Sequence, residues 1–139
     1  MNRARRGVTL VELILVVAII SILVSAALPS FIRASERARV RDVQATLTAI
    51  ANAEKVYNLD EGRFGTDLDL YVNGHYLSDP DPAAGTTNVD WDFLIDDVTA
   101  NTFTATAMRT GGGYNGNTVV VNQGFDGTHY LGNHPLRDA

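Results

Sequence analysis

The pattern of apolar and polar positions divides the chain into segments of different period. From Val8 to Leu28 the residues are almost wholly aliphatic, with Thr9, Glu12, Ser21 and Ser25 as the polar interruptions. A run of that length and composition is expected to cross a bilayer as one helix. Pro29 closes this segment; its missing N–H and its ring predict a kink or a local opening of the helix there. Beyond it, Val40, Val43, Leu47, Ile50 and Tyr57 recur at helical spacing, with alanines at 45, 49, 51 and 53 between them. This predicts an amphipathic helix of strong formers, free of Gly and Pro until Gly62. Its apolar stripe should bury against a sheet, with Arg37, Arg41, Gln44 and Lys55 nearer the polar side. One kinked helix from about Val8 to Asn58 would be roughly 75 Å long, and a small head can cover only its second half.

After Gly62 the period shortens. Asp60-Glu61-Gly62-Arg63-Phe64-Gly65 reads as a turn. Leu68, Leu70, Val72 and Leu77, interleaved with Tyr71, Gly74 and Tyr76, read as the connection between helix and sheet, and Asp79 to Gly85 as a rigid loop. Trp91 to Val98 alternates, with Trp91, Phe93 and Ile95 on one side and Asp92 and Asp96 on the other. Thr102 to Met108 carries β-branched residues at alternate positions, as a half-exposed antiparallel strand should. Thr99-Ala100-Asn101 is the expected hairpin tip between them. A glycine-rich loop over 111–117 leads to a third strand, Thr118 to Asn122. Asp126-Gly127 turns the chain toward a short fourth strand at His129-Tyr130-Leu131, and the tail from Gly132 shows no periodicity.

Length and composition narrow the picture. The 139 residues make one domain by length. There is no cysteine, so packing or an ion must hold the C-terminal region. The formal charge of −5 includes Arg3, Arg5 and Arg6; from Asp42 onward fourteen acids face four bases. A head so acidic repels polyanions, so direct nucleic-acid binding is not expected.

The anomaly in the aliphatic run is Glu12, because a carboxylate near membrane depth costs a few kcal/mol unless it is paired, on the order of the insertion penalties for acidic residues. Gly7 followed by Val8-Thr9-Leu10-Val11-Glu12 and an aliphatic helix resembles the N-terminus of a type IV prepilin. The usual first mature residue of that family is phenylalanine, where this chain has Val8. The passage Tyr57 to Phe64, followed by Gly74 to Pro80, is similar to pilin and pseudopilin heads, more loosely. An ordinary secretory signal with a site near Ser25-Ala26-Ala27, or a plain signal anchor, would explain the apolar run but gives Glu12 no purpose.

The resemblance implies an α+β pilin fold: one long kinked N-terminal helix packed on a three- to four-stranded antiparallel sheet. It divides the chain into a basic leader over 1–7 that is removed, a hydrophobic helix half over 8–28, an amphipathic half over 29–58 and a globular head over 59–139. A dedicated prepilin peptidase would cut between Gly7 and Val8, and the new amine of Val8 would be N-methylated. Glu12, with Thr9 beside it, would serve subunit assembly, and Pro29 would place the kink. The implied function is a structural subunit, polymerised from the inner membrane into an extracellular type IV pilus filament. Its partners would be identical subunits, the peptidase, the pilus assembly machinery and, before assembly, membrane lipid. A pseudopilin of a type II secretion system is the alternative.

Little in the head suggests other chemistry. His75, His129 and His134 lack metal-ligand spacing and read as exposed or loop histidines. Asp79, Asp81, Asp90 and Asp92 could gather oxygens for Ca²⁺, but they lack the glycine and bidentate glutamate of an EF-hand and read as solvated loop acids. No phosphate loop or nucleophile motif is present. Neither an enzyme nor a cofactor is expected.

Overall fold

A computed structural model describes residues 8–66, Leu70, Tyr76, Leu77 and 90–138. Gly7 and the leader, most of the helix-to-sheet connection, His75 and the loop with Asp79 and Asp81 lie outside the described residues. The elements are α1 (Leu10–Glu61), β1 (Trp91–Asp96), β2 (Thr104–Arg109) and β3 (Thr118–Asn122), with a single helical turn at Gly112–Tyr114. The chain forms two compact units, Met1–Glu36 and Arg37–Ala139, each taking part of α1.

In the first unit, α1 runs through Pro29 as one helix. It starts at Leu10 rather than Val8 because Thr9 acts as its cap: the Glu12 N–H donates to Thr9 Oγ1 at 3.2 Å, and the Leu13 N–H to Thr9 O at 3.2 Å. A capping residue holds non-helical backbone angles, which leaves Val8 and Thr9 outside the first turn.

In the second unit, α1 lays one face on a sheet of order β1-β2-β3. Both pairings are antiparallel, with Phe93 opposite Ala107 and Ala107 opposite Val119. The expected stripe Val40, Val43, Leu47, Ile50 and Tyr57 is buried throughout. It meets Trp91, Phe93, Ala105, Ala107, Val119 and Val121 from the sheet, with Phe103 and Phe125 closing the core. Small Ala105 and Ala107 on the central strand let the helix approach, while the larger β1 and β3 residues fill its flanks. Glu61 ends α1, and Gly62 at φ +73° accepts the left-handed conformation of a helix C-terminus, its N–H bonding Asn58 O at 2.9 Å.

The strand boundaries shift slightly from the sequence reading. β1 stops at Asp96, because Asp97 takes φ +52° and the Thr99 N–H bonds Thr102 O to close the hairpin. The fourth strand reduces to one bridge, Leu131 with Val120. Asp126 turns the chain on itself before that bridge, its Oδ1 accepting from the Thr128 and His129 N–H groups and the Thr128 hydroxyl.

Candidate functional site: the exposed N-terminal helix and its head

Every residue from Val8 to Ala34 is exposed. Leu10, Val11, Ile22 and Phe31 show 70% or more of their surface. An aliphatic helix with no covered side requires an apolar surrounding, because water would leave each large side chain short of about 1.5–3 kcal/mol of burial. Its few hydroxyls are compatible with such a setting. Ser21 Oγ donates to Val17 O at 2.7 Å, Ser25 Oγ to Ser21 O at 2.7 Å and Ser30 Oγ to Ala27 O at 2.8 Å. Each hydroxyl is thus satisfied inside the helix, as hydrocarbon demands. Pro29 withholds the N–H that the Ser25 carbonyl would otherwise receive, which makes this the weakest point of the ladder.

Glu12 sits in the first turn of the helix. The spacing Thr9-x-x-Glu12 is that of a capping box, and the structure contains the half in which the Thr9 hydroxyl oxygen receives the Glu12 N–H. A carboxylate in the first turn also meets the positive end of the helix dipole. Thr9 and Glu12 are therefore brought together by local geometry, whereas Gly7 lies outside the described residues.

The head holds its polar groups in a few built contacts. Asp90, at the start of β1, pairs with Arg39 of α1 and with Arg109 of β2 at 3.2 Å. Arg109 Nη1 also donates to Asp90 O at 2.7 Å, and its guanidinium lies 5.7 Å from the Trp91 ring centre. Partial desolvation pushes the Asp90 carboxyl up, but the hydrogen bond and charge of Arg109, joined by Arg39, hold it below the ordinary aspartate value. Asp90 is thus an ion-paired clamp between helix and sheet rather than a solvated loop acid. Asp92 is exposed on β1. Among the described residues no cluster of acids, histidines or cysteines is arranged to hold a metal.

Two residues of the second unit carry roles that the sequence reading did not suggest. Glu54 is fully buried and its Oε2 accepts the Gly65 N–H at 2.9 Å, so it fastens the chain leaving α1. The signal was present: Glu54 follows Ile50 by four and precedes Tyr57 by three, which sets it on the apolar stripe. His134, expected to be an exposed or loop histidine, is in a loop yet has no exposed surface. Its ring lies 5.4 Å from the Trp91 centroid and 5.1 Å from that of Tyr114. The His134 N–H bonds Thr118 O at 2.9 Å, and its Nδ1 accepts the Leu136 N–H at 3.2 Å. The aperiodic tail is therefore anchored by one inserted ring, and nothing in its local pattern could announce that.

The profile of the prokaryotic N-terminal methylation motif matches residues 2–28. The competence protein ComGC of Halalkalibacterium halodurans is 40% identical over 71 residues, covering 51% of this chain and 70% of that protein. The type IV wide pilus major component PilA4 of Thermus thermophilus is 29% identical over 110 residues, covering 79% of this chain and 78% of its own. The type IV major pilin protein PilA of Myxococcus xanthus is 38% identical over 63 residues, or 45% of this chain, and the chain spans 29% of that relative's length. With the methylation motif on an exposed aliphatic helix and the helix-on-sheet head behind it, the chain belongs to the type IV pilin family.

Proposed function

We propose that the protein is cut between Gly7 and Val8, held in the inner membrane by residues 8–28, and polymerised into an extracellular pilus filament. The observation that carries this reading is the exposed aliphatic surface of the whole stretch from Val8 to Leu28, interrupted near its start by the carboxylate of Glu12. Lipid covers that surface before assembly, and the helices of identical subunits cover it afterwards. Cleavage creates a positive amine on Val8 close to a negative Glu12. Each charge is costly alone in an apolar setting, and a pair costs far less than two separated ions. A neighbouring subunit's amine reaching Glu12 would set the register between helices, a use to which buried charges are well suited. Pro29, which withholds one backbone hydrogen bond, is the place where the helix would kink most readily. Two of the named relatives are pilus components, which favours a pilus over a type II secretion pseudopilus.

The test is to shear surface filaments from producing cells and determine the N-terminus of their main protein by mass spectrometry. A start at Val8 with a methylated amine is expected. A start at Met1, or near Ala27, overturns the proposal.

A further inference from the structure

One face of α1 in the second unit is left uncovered among the described residues. Opposite the buried stripe, Arg37, Arg41, Ala45, Ala49, Asn52, Val56 and Leu59 follow one another at three- and four-residue steps, and all are exposed. Arg37 and Arg41 are one turn apart on this face, a like-charge spacing that destabilises an isolated helix. Neither makes an ion pair among the described residues, in contrast to Arg39 and Arg109, which share Asp90. On this face the exposed charges at this end are Arg37 and Arg41; Asp42 follows them on the helix and Asp92 lies on β1, while Arg39 and Arg109 are taken up by Asp90.

The other end of the same helix has the opposite sign. Asp60 and Glu61 are its exposed last residues. The β1–β2 hairpin reaches the same end, because Asn58 Nδ2 donates to Ala100 O at 3.5 Å, and it brings exposed Asp96 and Asp97 with it. Of the bases near this end among the described residues, Lys55 Nζ donates to Phe125 O at 2.9 Å and Arg63 Nη2 to the Tyr57 hydroxyl oxygen at 2.6 Å. The negative field is felt locally: the hydrogen bond to Asp60, with desolvation and the charges of Asp60 and Glu61 added, raises the Tyr76 hydroxyl above its ordinary value. The two poles are separated by about 30–35 Å along the helix, at 1.5 Å per residue.

We propose that these poles are a subunit-to-subunit docking surface, in which Arg37 and Arg41 of one copy meet the Asp60, Glu61, Asp96 and Asp97 end of a second copy. The inference rests on the filament reading and names a contact within it. A surface pairing one end of a molecule with the opposite end of its twin is heterologous, and such contacts generate open polymers rather than closed dimers. Small Ala45 and Ala49 between the poles leave room for a close neighbour. Opposite potentials fix register and suppress wrong alignments, because juxtaposed like poles repel.

The test uses the full chain in filament-producing cells. Arg37→Glu with Arg41→Glu reverses one pole; Asp60→Lys, Glu61→Lys, Asp96→Lys and Asp97→Lys reverse the other; a third strain carries both sets. Either reversal alone should lower the filament count about tenfold, the combined reversal should restore most of it, and milder Arg37→Gln with Arg41→Gln should lower it less, as expected for charge-complementary contacts. Protease resistance of the processed subunit in membranes reports folding; if a reversed set does not fold, the glutamine pair decides, and a full filament count from it overturns the proposal. Full counts from both single reversals also overturn it. Loss from the arginine reversal that the combined strain fails to restore overturns it as well, and assigns the arginines to anionic lipid headgroups. A wild-type chain that starts at Val8 yet forms no filaments refutes the filament reading itself and is told apart by that control.

Discussion

Without a disulfide, the C-terminal segment is held to the sheet by its close approach at Gly132, and this is where a single methyl group should tell most. Gly132 has φ +103°, and a Cβ built there would lie 2.3 Å from Thr118 O. That carbonyl already receives the His134 N–H at 2.9 Å, so neither chain can yield without loosening the His134 ring. In Gly132→Ala the positive φ alone costs about 1–2 kcal/mol for an L-residue. Relief of the clash further requires giving up the Val120–Leu131 bridge, whose bonds are 3.0 and 2.8 Å and contribute about 0.5–1.5 kcal/mol each. The expected total is about 2–5 kcal/mol, or roughly 10–20 °C in Tm for a domain of this size. Gly62→Ala is the control: Gly62 has φ +73° but nothing within 4 Å of a built Cβ, so it should lose only about 1–2 kcal/mol. The assay is urea and thermal unfolding of a chain starting near Arg33, which should be soluble and cooperative, followed by the fluorescence of its single tryptophan. Trp91 touches His134 and therefore reports the segment directly. A Gly132→Ala midpoint no lower than that of Gly62→Ala would refute the close approach as a constraint.

Further outcomes can be checked with the same material. Leu47 is completely buried against the sheet, so Leu47→Ala should cost about 2–5 kcal/mol; an unchanged urea midpoint would contradict the core placement. Asp90 titrates below the ordinary aspartate value of 3.8 in the folded head, so its ion pairs contribute fully above that value and are lost as pH falls through the lower folded one. The Tm should accordingly drop below about pH 4, and Asp90→Asn should flatten part of that slope. Asp126 is held low chiefly by the N–H and hydroxyl of Thr128, then by the His129 N–H, and adds to the acid sensitivity in the same sense. Glu12→Gln and Glu12→Val should both be inserted and cut after Gly7 yet yield few or no filaments. Since glutamine serves a capping box as well as glutamate, filaments from Glu12→Gln alone would reduce the residue to a helix cap, and uncut precursor from either would assign it to peptidase recognition.

Much of this architecture is determined by local periodicity. The aliphatic run of 8–28 and the stripe from Val40 to Tyr57 announce two halves of a helix with different surroundings. The alternation around Phe93, Ala105 and Val119 announces three strands, because side-chain direction repeats every 3.6 residues in one element and every two in the other. Glu12 stands out in sequence for the same reason, as a charge where the pattern has no place for one. Contacts between distant segments obey no such rule. That Thr9 caps the helix could be read from its spacing to Glu12, but that Arg39 and Arg109 converge on Asp90, or that His134 inserts beside Trp91, depends on which loops fold back onto which strand. The fourth strand shrank to a single bridge because Asp126 draws three donors into a turn, a local competition that alternation alone does not weigh. The opposed charges at the two ends of the head are likewise a tertiary result: only the antiparallel register carries Asp96 and Asp97 to the end of α1 that already bears Asp60 and Glu61.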